Sequence, residues 1–352
     1  MDSIGTPALW TASIAVVIGL LALDFALTRR PHDVSMKEAL GWSAFYIALP
    51  LAFGGFVWAQ YGSDRGVEYL TGYLVEKSLS VDNLFVFMLL LAAFAVPREL
   101  QQRVLLYGIV GALVLRGIFI ALGAAALSAF EAAFLVFGAI LVVTAVKILR
   151  DALSGKDHAV EVGRLRSVRV ARRFFPVTDA YDGPRMTARL DGRRALTPLA
   201  LVVLAVLATD IVFAVDSVPA VYGITADPFL VFVTNAFALL GLRALYFVLE
   251  GALSTLTYLG HGLAAILAFI GTKLVLHWAH LTWPSVPEIP TLASLGVVVG
   301  ILAVTVAASL LAGRSADGRE DRADRDDLAG SEEVSDPDAS SGRPESSSAG
   351  RR

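Results

Sequence analysis

Apolar residues run along this chain in blocks long enough to cross a bilayer, separated by short polar segments. A hydrocarbon core of about 30 Å needs roughly 20 consecutive apolar residues in helical form. Nine stretches qualify, at about 8–28, 40–60, 69–95, 103–125, 130–149, 197–222, 228–250, 258–279 and 291–312. Breakers mark several ends: Pro31, Gly62, Pro97, Gly155, Gly223 and Pro284. Backbone groups in lipid must be satisfied within the segment, which favours helices. Barrel strands would alternate in polarity over about ten residues, and runs such as Leu201–Leu207 do not. The pattern predicts an all-α polytopic membrane protein.

Composition agrees. Hydrophobic residues make up 56% of 352 positions, mean hydropathy is +0.67, and charged residues fall to 17%, against about 25% in soluble domains. The formal charge of −3 implies no nucleic-acid partner. The chain has no cysteine, which removes disulfides, thiolate metal sites and cysteine nucleophiles. The first apolar run lacks a basic region before it and a small-residue cleavage site after it, so it reads as a retained span.

Lys and Arg in the loops set the expected orientation. Arg29, Arg30 and Lys37 follow the first span, and Arg98 and Arg103 follow the third. A long basic loop, 151–196, follows the fifth, with Arg164, Arg166, Arg169, Arg172, Arg173, Arg185, Arg189, Arg193 and Arg194 among its residues. The opposite side has Arg65 and little else. The expectation is an inner (plasma) membrane protein with its N-terminus outside and its C-terminus cytoplasmic. The basic loop could sit on anionic headgroups, but the plainer expectation is that it only enforces topology. Residues 1–313 form the transmembrane domain, and the Ser-, Asp- and Glu-rich segment 314–352 is expected to be a disordered cytoplasmic tail.

A weak internal repeat carries the chemistry. Glu76 to Asn83 (EKSLSVDN) in the third span matches Asp210 to Ser217 (DIVFAVDS) in the sixth: an acid, five residues, an Asp, then a small polar residue. The next span of each half carries Leu115-Arg116-Gly117 or Leu242-Arg243-Ala244, and the one after carries Lys147 or Lys273 behind an Ile-Leu pair. Three spans per unit reverse the second copy. Residues 69–150 and 197–279 therefore form an expected inverted repeat, with 8–28, 40–60 and 291–312 as additions. Such pairs place substrate sites near the midplane.

Ionisable groups at membrane depth cost about 2.5–3.5 kcal/mol each on insertion scales. That expense argues that Glu76, Asp82, Asp210 and Asp216 face a cavity or one another. Helix geometry gives each of the two helices adjacent polar stripes. Facing arcs would converge four carboxylates with Asn83 and Ser217, hard oxygen donors suited to Mg²⁺, Ca²⁺ or Mn²⁺. Pro219 is expected to kink or break the sixth helix near Asp216 and free a carbonyl. The competing expectation is a set of static buried ion pairs. For Arg116 and Arg243 individually, pairing with carboxylates is the favoured role. Lys77, Lys147 and Lys273 read as snorkelling. His261, His277 and His280 read as interfacial, and Trp10, Trp42, Trp58, Trp278 and Trp283 as interfacial anchors.

At these residues the sequence resembles the TerC/Alx family of integral membrane proteins. The matching segments are Glu76–Phe87 (EKSLSVDNLFVF), Phe174–Thr178 (FFPVT), Phe213–Ala220 (FAVDSVPA), Asp227-Pro228-Phe229 and Asn235–Tyr246 (NAFALLGLRALY). The resemblance runs from the first span to the ninth and excludes the tail. It implies a multi-pass exporter of Mn²⁺, linked to tellurium resistance and in some members to alkaline response. Glu76, Asp82, Asp210 and Asp216 are the matching acidic positions. Family members commonly carry a Glu three residues before the acid at Asp210; here that position is Leu207, which bears on affinity and on the identity of the ion.

The leading expectation is thus a secondary transporter, with the bilayer and a divalent ion as partners, protons as a candidate coupling ion and no permanently bound cofactor. No Walker motif is present, so a gradient would drive it. An intramembrane aspartyl protease is the enzyme alternative, but Asp216 follows Phe-Ala-Val rather than Gly-x-Gly, and no enzyme is expected. A non-transporting scaffold that assists metal delivery to exported enzymes is the third class.

Overall fold

The computed structural model describes residues 3–28, 36–154, 166–178, 180–190, 193–250, 258–309 and 311–312. The expected tail, 314–352, lies outside the described residues. So do Arg29, Arg30, Lys156 and Arg164 of the loops.

Helices α1 (Pro7–Thr28), α2 (Met36–Tyr61), α3 (Ser63–Ala93), α4 (Arg98–Ala129) and α5 (Ala132–Leu153) occupy the first five expected spans. After α6 (Arg166–Phe174) and strands β1 (Thr187–Leu190) and β2 (Arg193–Leu196) come α7 (Pro198–Tyr222), α8 (Pro228–Leu240), α9 (Leu242–Glu250) and α10 (Leu259–Thr282). The last span is α11 (Thr291–Ser309). Among the described residues eight helical stretches are long and apolar enough to cross a membrane, α8 and α9 forming one of them over Pro228–Val248. The remaining expected span, α3, is a continuous helix of 31 residues. It carries Asp64, Arg65, Glu68, Glu76, Lys77 and Asp82, too much charge for an ordinary lipid-facing helix.

Two differences from expectation concern helix continuity. Pro219 lies inside α7, which runs on to Tyr222 before its cap at Gly223. The helix is therefore not broken there, although Pro219 has no N–H to donate to the carbonyl four residues earlier, that of Val215. The break falls instead at Gly241, between α8 and α9. The loop after α5 carries local structure of its own over its described residues. Strands β1 and β2 pair antiparallel, with Thr187 opposite Leu196. Thr197 caps α7, accepting from Ala200 N and donating to Arg185 O at 2.7 Å, and Tyr181 OH donates to Phe94 O at 2.8 Å in the α3–α4 turn.

Packing explains where the polar residues can be. α3 packs on α2, α7 and α8, α4 packs on α7 and α8, and α5 packs on α10. The α5–α10 contact brings backbones together. A Cβ at Gly138 would stand 2.8 Å from Gly271 O, and one at Gly271 would stand 3.0 Å from Gly138 O. This is the small-residue packing that membrane helices use in place of a hydrophobic driving force. One apolar cluster joins Leu84–Leu91 of α3, Leu100–Ala112 of α4 and Leu199–Val206 of α7. A second joins Val75 and Leu79 of α3, Ile120 and Leu127 of α4 and Val218–Tyr222 of α7 with α5 and α10. Between them, on all three helices, lies one polar layer. The outer faces of α1 and α11 carry exposed Ile14, Val16, Ile18, Leu292 and Val304, as lipid contact requires.

Candidate ion site

Arg116 of α4 is the centre of the polar layer and is fully buried. It sits four residues from Ala112 of one apolar cluster and four from Ile120 of the other, so helix periodicity turns it inward with them. Its Nη1 donates to Glu76 Oε2 at 2.8 Å, and its Nη2 lies 3.5 Å from Asp210 Oδ1. Glu76 Oε1 accepts a second bond from Asn235 Nδ2 of α8 at 2.8 Å. With its amide turned to satisfy both atoms, Asn83 accepts from Arg116 Nη2 at 2.9 Å and donates to Leu79 O at 3.1 Å. Arg116 of α4 thus ties together α3 and α7, and α8 joins the layer through Asn235 on Glu76.

Two carboxylates thus share one guanidinium. Among the described residues Asp210 Oδ2, Asn235 Oδ1, Ser80 Oγ and Arg116 Nε are buried without a hydrogen-bond partner, as is Ser217 Oγ two turns beyond Asp210 on α7. Buried polar atoms left unpaired cost about 1–3 kcal/mol each. The donor set is all oxygen, which suits a hard cation.

The expected convergence of four carboxylates is only half realised. Glu76 and Asp210 share Arg116, whereas Asp216 is half-buried and accepts from Thr144 Oγ1 of α5 at 2.7 Å, with Lys147 close enough for its charge to act on it. Six residues separate Asp210 from Asp216, about 9 Å along the helix axis. Asp82 is half-buried on α3. No three of His, Cys, Asp or Glu are grouped to hold a metal among the described residues. Leu207 leans over Gly111 of α4, one turn before Asp210.

Arg243 pairs not with the repeat acids but with Asp24 of α1, at 2.6 Å from Nη2 and 3.1 Å from Nε. Lys77 does not reach a span end. Its Nζ donates to Ala238 O at 3.4 Å, at the C-terminal end of α8 beside the Gly241 break. There a cation meets the negative end of the helix dipole. His277 pairs with Glu288 at 2.7 Å on the wall of a cavity of about 430 Å³, shared with Arg65, Glu68, Thr225 and Lys273, where α7 ends.

Sequence reasoning missed Asn235, Thr144, Ser80 and Asp24. For Asp24 the signal was present, an acid within the first apolar span. Asn235 stood inside a segment quoted only for its resemblance. Thr144 and Ser80 carried no signal, because hydroxyls in membrane helices commonly bond their own backbone.

Residues 61–317 match the family described as the integral membrane protein TerC family. The chain is 44% identical to the membrane protein STKORF319 of Myxococcus xanthus, over 89% of this chain and 95% of that one. It is 42% identical to Alx of Salmonella typhi, named as a candidate membrane-bound redox modulator, over 87% of this chain and 95% of the relative. It is 41% identical to the membrane protein Rv2723 of Mycobacterium tuberculosis, over 87% and 79% respectively. No solved structure matches the chain.

Proposed function

Because the chain belongs to the integral membrane protein TerC family, we propose that it is a secondary transporter exporting a divalent metal ion, Mn²⁺, through the polar layer around Arg116. The observation that carries this reading is the pair of carboxylates that share Arg116 at membrane depth, Glu76 and Asp210, with Asp210 Oδ2 and Asn235 Oδ1 buried and unpartnered among the described residues. A static ion-pair network would be expected to satisfy its acceptors. A carrier site must instead keep oxygen donors available.

Arg116 then acts as a tethered counter-cation. A divalent ion entering between Glu76 and Asp210 displaces the guanidinium, and Asn83 and Asn235 supply neutral oxygens. When the ion leaves, Arg116 returns and the carboxylates are not left bare. Asp216, bonded to Thr144 farther along α7, serves as a second station on the same path, and Asp82 is assigned to that path as well. The reading places the protein in the inner membrane, N-terminus outside and C-terminus cytoplasmic, with an ion gradient, protons among the candidates, as the energy source and no enzymatic step. An inverted repeat accounts for reciprocal packing: α3 lies against α8 as its counterpart α7 lies against α4. The redox description belongs to the relative Alx. This chain has no cysteine, so its own side chains offer no thiol for disulfide exchange.

The test is flux in liposomes containing only the purified protein, with a Mn²⁺-responsive dye inside and Mg²⁺ and Ca²⁺ as competitors. Protein-dependent Mn²⁺ entry down an imposed gradient is expected. Folded protein without flux would leave the scaffold reading.

A further inference from the structure

The segment between α5 and α7 presents a surface that the transport reading does not use. Helix α6 is docked by one face only: Val168 and Ala171 are buried at 1% and 4% exposure, within the apolar cluster built by the first turns of α7, the end of α3 and the start of α4. Those turns belong to helices that span the bilayer, so α6 lies against the bundle where the apolar spans begin.

At about 100° per residue, the remaining positions sort onto distinct edges. Val170 and Phe174, four apart, share one edge roughly 110° from the buried face, and they are exposed by 55% and 71%. Phe175, just past the helix, is exposed by 55%. Arg169 and Arg173, also four apart, are exposed on the outward face next to that edge, and Arg172 is exposed on the opposite edge. An apolar edge with a large aromatic, bordered by a pair of arginines, has the cross-section of a helix lying in a membrane interface. No carboxylate occurs on α6 to neutralise it.

We infer that α6 is an anionic-lipid docking element: Val170, Phe174 and Phe175 enter the cytoplasmic leaflet, and Arg169 and Arg173 hold acidic phospholipid headgroups. Charge complementarity and continuity with the spanning bundle both select lipid. The helix packs against α7, which carries Asp210, so lipid composition would bear on the position of the transport helix. The inference does not depend on what is transported.

The cysteine-free sequence makes the test clean. Single variants Phe174→Cys, Val170→Cys and Arg172→Cys in the full chain are labelled with a fluorophore and placed in nanodiscs of neutral or partly anionic brominated lipid. Labels at 170 and 174 should be quenched by lipid when anionic lipid is present, and the label at 172 by an aqueous quencher. Adding Arg169→Gln and Arg173→Gln should raise several-fold the anionic fraction giving half-maximal lipid quenching, as removal of two headgroup contacts requires. Aqueous quenching at all three positions in anionic discs would overturn the inference, as would equal lipid quenching in neutral discs. A label at 174 shielded from both quenchers, and released when residues 314–352 are removed, would mean that the acidic tail covers this face, and would also overturn it.

Discussion

Replacing Glu76 by Gln separates charge from shape at the centre of the polar layer. The amide oxygen can still accept from Asn235 Nδ2, now 2.8 Å away, but Arg116 Nη1 loses its carboxylate at 2.8 Å. Stranding one member of a buried pair costs about 3–5 kcal/mol. Asp210, at 3.5 Å from the other end of the guanidinium, and Asn83 remain, so the loss should fall near the lower end, about 3 kcal/mol. Arg116→Met alone leaves two carboxylates facing each other and should cost as much or more. The double variant removes both charges. In a double-mutant cycle the coupling between the two sites should therefore reach about 2–3 kcal/mol. Stability is read from equilibrium unfolding in mixed micelles, and Mn²⁺ flux from liposomes per unit of folded protein. The double variant should regain much of its stability but no flux, because the carboxylate donor is gone. Additive stability losses would refute the pairing as an energetic unit, and wild-type flux in Glu76→Gln would remove Glu76 from the transport path.

Other consequences are more local. Asp24→Asn unpairs the buried Arg243 and should cost about 3–5 kcal/mol, lowering the amount of folded protein while flux per folded molecule stays unchanged; reduced specific flux would place this pair on the path. Gly138→Ala drives a methyl against Gly271 O of α10 and should destabilise by about 1–3 kcal/mol through overpacking, so an unaltered unfolding midpoint would contradict the close α5–α10 contact. Cysteines at Ser3 and Ser315 should be labelled from opposite faces, and labelling of Ser315→Cys by an impermeant reagent on intact cells would reverse the assigned orientation.

Much of this architecture was legible because the bilayer imposes a length and a polarity on every span. Even α3, with six charged residues, was recognisable from the apolar residues around them. The break at Gly241 was not legible: Ala236 to Leu245 reads as one apolar run apart from Arg243, and only packing against Lys77 and Tyr46 distinguishes its glycine. The repeat located Glu76, Asp210 and Arg116, yet it could not say which charge meets which. Symmetry would give each arginine its own acid. In the structure Arg116 takes the first acid of both copies, and Arg243 takes Asp24 from α1, a helix outside the repeat. Partner choice is a tertiary property. So is the loop after α5, where elements of nine and four residues are too short for periodicity to reveal.

Asp210→Asn offers the most direct test of the Arg116 layer as the transport site. Arg116 keeps Glu76 at 2.8 Å and Asn83 at 2.9 Å, and the contact given up is the long one at 3.5 Å, so this variant should insert and fold much as the unaltered protein does. What it loses is a carboxylate whose Oδ2 is buried without a partner. The expected result is folded protein in liposomes with Mn²⁺ flux abolished. Mn²⁺ flux by Asp210→Asn equal to that of the unaltered chain would contradict the assignment.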